Sequence, residues 1–269
     1  MFKEILMKKL IAGLLILIIT ISAVSAFEME VYGGVGAEFY NAKGFQNIIL
    51  SDVRNHPGAI DRISLELADM NGFGTLITIQ GGARYETIPN LYALGEVCLG
   101  FINLNTYALQ FEAGGLFMFP MSLIVSNLHV GVGTKVGFFD FTKYLGKAKT
   151  LTGGSGYNYV DISNTTNTET VKIHDGDEIE FSTLGLSITP FVDLTFDLGS
   201  FLAIGVDVGF QWAISFKSAL YKKTSNNRES IDIKSPDFYT DTTLTTQADM
   251  NPVVSLTGFK ANAHVTYRW

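Results

Sequence analysis

Hydrophobic and polar residues alternate one for one over eight stretches of this chain. Alternation with period two marks a strand whose two faces meet different surroundings. The first stretch sets Val31, Gly33, Val35, Ala37 and Phe39 against Glu30, Tyr32, Gly34, Gly36 and Glu38. The others run over Ile77–Tyr85, Leu91–Phe101, Tyr107–Phe117, Leu128–Phe138, Leu184–Phe196, Leu202–Ile214 and Val253–Trp269.

The residues carried by each face decide which one looks inward. A soluble sandwich shows water a polar face rich in Lys, Glu and Thr. Here the polar positions are crowded with Gly and charges of both signs, which suits the tight interior of a small barrel. The apolar face ends in aromatics at both rims: Tyr85, Phe117, Phe196, Tyr267 and Trp269 at one, Phe39, Phe101, Tyr107, Phe138 and Trp212 at the other. Two such belts around an apolar band match two lipid–water interfaces. The predicted fold is therefore all-β, an eight-stranded antiparallel transmembrane β-barrel over residues 27–269. A soluble eight-stranded ligand-binding barrel is the competing reading.

The connections alternate as well. Tight turns are expected at Ile88-Pro89-Asn90, at Phe119-Pro120-Met121-Ser122 and at Asp197-Leu198-Gly199-Ser200. The opposite end carries long segments, about 41–74, 145–178 and 218–250, with one short link at Asn103-Leu104-Asn105. Short periplasmic turns and long extracellular loops are the outer-membrane arrangement. The loops are polar and expected to be mobile, with a short helix near Ala59–Ile63.

Composition adds an export signal. Lys8 and Lys9 precede an apolar run from Leu10 to Val24, and Val24-Ser25-Ala26 offers the small residues of a cleavage site. Residues 1–26 are thus expected to be a signal peptide, with translation starting at Met1 or Met7. Its removal takes away three lysines and one glutamate, moving the net charge from −7 to −9. So acidic a chain, with no basic patch, is a poor nucleic-acid binder. One cysteine, Cys98, excludes an internal disulfide framework.

With signal peptide, strand pattern and an aromatic-ended last strand (Val265, Tyr267 and Trp269 in step), the chain resembles small bacterial outer-membrane barrels of the OmpA, OmpX and OmpW kind. The resemblance spans residues 27–269. It implies outer-membrane lipid as solvent, periplasmic chaperones and the barrel-assembly machinery as folding partners, a monomer, and a location in the outer membrane of a didermic envelope.

Alternation sends Glu38, Arg84, Glu96, Glu112, His129, Lys135, Asp193, Asp207, Lys260 and His264 into the lumen, with Glu30 and Glu86. Charges in so narrow a space must pair or stay hydrated. They form either a salt-bridged plug or a narrow hydrated path. Towards the long-loop end the inward positions turn apolar at Leu76, Ile102, Ala108, Phe139, Val254 and Leu256, which resembles the OmpW subfamily and its association with small hydrophobic molecules. Pro190 lies inside a strand, where its missing N–H deletes a ladder bond, marking a lateral seam or a bulge.

Catalytic, cofactor and metal sites are not expected. His129 and Ser126 fall on opposite faces, so no nucleophile sits beside a base. His174-Asp175-Gly176-Asp177-Glu178 lacks the full spacing of a calcium loop and reads first as solvated charge. The functions left are a narrow channel for small or hydrophobic solutes, a structural barrel contacting host surface molecules through its loops, or a lipid-modifying enzyme.

Overall fold

The structure is a computed structural model that describes residues 29–41, 49–51, 64–67, 73–103, 105–121, 125–152, 159–163, 169–224, 227–233, 237–239 and 256–268. The expected signal peptide, the helix near Ala59–Ile63, Val254 and Trp269 lie outside these residues. Every regular element described is a strand: β1 (Met29–Asn41), β2 (Ile49–Ser51), β3 (Ser64–Leu67), β4 (Phe73–Ile88), β5 (Leu91–Asn103), β6 (Thr106–Pro120), β7 (Leu128–Thr152), β8 (Tyr159–Ser163), β9 (Thr170–His174), β10 (Glu178–Asp197), β11 (Leu202–Lys223), β12 (Arg228–Ile231), β13 (Phe238–Tyr239) and β14 (Gly258–Arg268).

Eight of these close into a ring in the order β1, β4, β5, β6, β7, β10, β11, β14, with β14 returning to β1 and all pairs antiparallel. Register gives the stagger. From Ile204 on β11 the paired row passes through Val265, Gly33, Gly81, Val97, Phe111, Phe138 and Leu186, and re-enters β11 at Ile214, ten residues above its start. Eight strands with a stagger of ten tilt by roughly 40° and enclose a space that side chains can fill.

The exterior is apolar, and the interior is polar apart from buried clusters such as Leu94, Leu116, Met118 and Phe191. Val136 is 51% exposed on the outside, whereas Glu38 is fully buried inside and Lys260 is 2% exposed. Water does not tolerate the first or favour the second; hydrocarbon around a closed ring permits both, since closure leaves no backbone edge unpaired. No helix among the described residues is long and apolar enough to cross a membrane. The crossing is made by strands.

The short-turn rim is formed by the connections β4–β5, β6–β7 and β10–β11; the turn expected from Phe119 starts later, because Phe119 and Pro120 still belong to β6 and β7 begins at Leu128. Asn90 and Asn127 take φ values of 68° and 73° there, a left-handed conformation that asparagine tolerates better than most residues. At the opposite rim the short link is fixed by Asn103, whose Oδ1 accepts the N–H of Asn105 and of Thr106, both at 2.9 Å.

Elsewhere that rim departs from expectation. The segment expected as a mobile loop from Leu145 is largely strand: β7 runs on to Thr152, β8 and β9 form a hairpin, and β10 begins at Glu178. β11 likewise continues to Lys223 and pairs with β12. Above Thr142, the last residue paired with β6, β7 changes partner and takes up β3, followed by β2 and β13. Their buried side chains, including Leu145, Val160, Ile162, Ile173, Phe181, Leu220 and Phe238, form an apolar core above the rim.

Crossing strands place their outward residues in hydrocarbon, so Val136→Arg should cost about 2–4 kcal/mol, while Leu202→Arg near the short-turn rim should cost about 0–1 kcal/mol. Reversible denaturant unfolding in lipid vesicles measures both; equal costs at the two positions would contradict a membrane around this band.

Candidate functional site: the lumen

Inward positions stack in four tiers, because alternate residues of eight tilted strands deliver side chains at successive heights. At the short-turn rim, Glu30 accepts hydrogen bonds from Nε of Arg84 and, at 2.6 Å, from Nε of Arg268. Arg268 Nη1 also donates to Asp197 at 2.6 Å, and His129 Nε2 lies 2.9 Å from the same carboxylate. The floor is thus a charged chain linking β1, β4, β14, β10 and β7. His129, expected in the lumen, occupies this half-exposed rim.

The second tier holds two unusual rungs. Glu96 faces Glu112 across β5 and β6, and Asp193 faces Asp207 across β10 and β11. Like charges directly opposite are destabilising unless compensated. Lys135 Nζ meets Glu96 at 2.9 Å, and Tyr32 donates its hydroxyl to the same carboxylate at 2.9 Å. His264 stands by the other pair, with Nε2 3.4 Å from Asp193 and Nδ1 3.7 Å from Asp207. A cavity of about 20 Å³ remains between Tyr32, Arg84, Glu96, Lys135, Asp207 and His264, room for about one water.

Higher still, hydrogen bonds span the bore. Lys260 on β14 reaches Glu112 on β6 at 2.8 Å and Gln110 at 3.0 Å. Gln110 donates to Glu38 on β1, which also accepts from Gln211 of β11 at 2.9 Å. Asp207 is held by Gln80 and Asn262 at 3.2 and 3.0 Å. The amides Gln80, Gln110, Gln211 and Asn262, with Arg268 and Asp197, belong to the network as much as eleven of the twelve charged residues read from sequence; the twelfth, Glu86, instead accepts the Asn90 N–H at the exposed turn at 2.6 Å. Shared strand parity is the signal for all of them; Asp197, in step with Asp193 and Thr195 at the end of β10, falls in the sequence among residues that predict a turn.

The fourth tier is apolar. Leu76, Ala108, Phe139 and Leu256 are buried, with Tyr40 against Phe141 at 5.1 Å between ring centres. They belong to one cluster with the core above the rim. The greasy upper positions are therefore a roof continuous with that core. Ile102 is a correction: it is 50% exposed, because the β5–β6 register shifts between Phe101 and Asn103 as the chain enters its short turn. Above the roof, Lys143 donates to the Tyr40 hydroxyl at 3.1 Å, and burial lowers its pKa.

Pro190 points outward and keeps its pairing with Thr134 of β7. On the β11 side the ladder lapses at Thr189 and Pro190 and resumes at Phe191 in the same register. So no bulge lies at Pro190; the shift on this seam comes between Leu184 and Gly185. Val265 and Tyr267 lie on the outer face of β14, opposite Gly33 and Val31. His174–Glu178 forms the turn between β9 and β10, where Asp177 accepts from the His174 N–H at 2.7 Å and pairs with Lys222 at 3.2 Å. Among the described residues no group of three or more His, Cys, Asp or Glu is placed to hold a metal ion.

No family model matches the chain, and no curated protein matches it. Among solved structures, a major outer membrane protein from Thermus thermophilus is similar at 11% identity over 90% of this chain and 99% of that one, with a TM-score of 0.46. Neisserial surface protein A is similar at 10% identity over 90% and 97%, with a TM-score of 0.38. The outer membrane protease OmpT from Escherichia coli is similar at 7% identity over 90% and 97%, with a TM-score of 0.33.

Because Glu112 is buried against Lys260, Lys260→Met should strand its charge and cost about 3–5 kcal/mol, and adding Glu112→Leu should recover most of that. Denaturant midpoints of the single and double variants check it; a double variant no better than the single would contradict the pairing.

Proposed function

We propose that this integral outer-membrane β-barrel is closed to solutes and serves as an anchor holding a folded β-structured module outside the cell for contact with surface partners. The observation that carries this reading is the filled bore: hydrogen bonds run from wall to wall beneath an apolar roof. A hydrated path needs a continuous polar surface with room for water. Here the roof of Leu76, Phe139 and Leu256 interrupts it, and the roof merges with the module's core.

The extended strands support the same reading. Crossing a membrane takes about 9–11 residues per strand, yet β7 has 25, β10 has 20 and β11 has 22. Length beyond the bilayer builds the module, and its apolar core gives it a fixed shape to present. The short turns then face the periplasm. Glu180, paired with Lys223 at 2.8 Å and Arg228 at 3.5 Å, ties β10, β11 and β12 together within it.

Two measurements test the proposal. Protein reconstituted in planar bilayers should give no steady conductance; reproducible open channels would favour the narrow-channel reading instead. On intact cells, a membrane-impermeant maleimide should label Lys172→Cys of β9, leave the native Cys98 buried and unreacted, and label Leu198→Cys only after the envelope is permeabilised. Labelling of Leu198→Cys on intact cells would invert the assigned orientation.

A further inference from the structure

We infer that a groove on the outer wall, crossing β10, β11, β14 and β1 in their short-turn half, holds one acyl chain of a phospholipid from the leaflet at that rim. The groove encloses about 780 Å³, within the roughly 300–1,000 Å³ of small-molecule sites. Strand register explains how it arises. Outward residues stand in rows that follow the pairing, and each row is a ridge. One ridge runs through Leu128, Phe196, Ile204 and Val265 to Gly33. The next runs through Leu194, Val206 and Ala263 to Val35. Between them lies the paired row of Gly205, His264 and Gly34, which forms the groove's floor. His264 turns its ring to the lumen, beside Asp193 and Asp207.

Both ridges drop where β14 meets β1, because Ala263 and Gly33 are small. The packing of the wall does not ask for glycine at position 33. A Cβ there would meet nothing nearer than the Gln80 carbonyl oxygen, at 3.8 Å. At Gly34, by contrast, a Cβ would collide with the Ala263 carbonyl oxygen. Gly34 is thus dictated by the barrel's own interior, while Gly33 leaves open space on the lipid side.

The occupant follows from where the groove lies. Its exposed ridge residues, among them Val35, Ile204, Val206 and Val265, belong to the apolar band already in contact with hydrocarbon. The groove is therefore continuous with the lipid interface. Its ridges carry no polar side chain, which suits a chain and not a headgroup. At its low end it opens by Leu128 and Phe196, the first residue of β7 and the last but one of β10. There Asp197 pairs with Arg268 and His129 at the charged rim. A zwitterionic headgroup meets both signs at that level, and its chain runs up the groove from it. A second copy of the barrel is convex and would rest on the ridges without reaching the floor.

Photo-crosslinking of the full protein in vesicles of phosphatidylethanolamine and phosphatidylglycerol tests this. A trace of phosphatidylethanolamine carries a diazirine in one acyl chain, and mass spectrometry maps the label. Peptides covering 194–206 and 261–265 should take several-fold more label than peptides covering 91–97 and 111–117. The latter carry Gly95 and Gly115, small outward residues in the short-turn half of β5 and β6. A263F/G33L, which fills the groove, should bring its label down to the reference level. G95L, where a Cβ meets nothing within 4 Å, should leave the groove label unchanged. Should A263F/G33L fail to fold, the contrast between groove and reference peptides in the natural sequence decides alone. Equal label in the two sets of peptides, undiminished groove label in folded A263F/G33L, or a V206C disulfide-linked dimer in place of the lipid label would overturn the inference.

Discussion

Hydrocarbon will not hydrogen-bond, and almost everything in this molecule is arranged around that constraint. Every crossing strand must give its backbone groups to neighbours, so the sheet must close on itself. Closure at eight strands with a stagger of ten fixes the bore. Side chains then have to fill it, and since the outer face is committed to apolar residues, charge and amide chemistry goes inside. The lumen is consequently the polar core of an inverted protein, stabilised by pairing rather than by exclusion of water.

Pairing of that kind has to be complete to be stable. Acidic residues outnumber basic ones in the described lumen, and two acid–acid rungs face each other across adjacent strands. The cations come from other strands: Lys260 of β14 reaches Glu112 on β6, and Lys135 of β7 reaches past it to Glu96 on β5. Contacts of this length in sequence form only when the ring shuts, so the interior ion pairs and the closure of β14 on β1 reinforce each other.

The barrel was legible in the sequence because lipid imposes one sense of alternation on every crossing strand. The strands above the membrane were not, and β7 shows why. Val130, Val132, Val136 and Phe138 face out, but Phe139, Phe141 and Leu145 face in, so the apolar phase slips by one residue just where lipid gives way to water. A search for one unbroken alternation stops at Phe138 and takes the rest of the strand for a loop. The same slip occurs on β10, where buried Phe181 faces inward and Leu184 outward. Within the lumen, parity identified the charged residues, but which carboxylate met which cation depended on stagger, and that is a property of the closed ring. Ile102 failed for a local reason: the turn at Asn103 broke the parity that placed it.

Among the described residues, the low link at Asn103 gives the long-strand end of the barrel a front and a back. β5 and β6 stop at the rim, whereas β7, β10 and β11 climb beyond it. Seen along the membrane plane, that end is bare wall from one bearing and a raised parapet from another. The fold is therefore not equivalent under rotation about the barrel axis, and any contact with that end has a bearing as well as a distance.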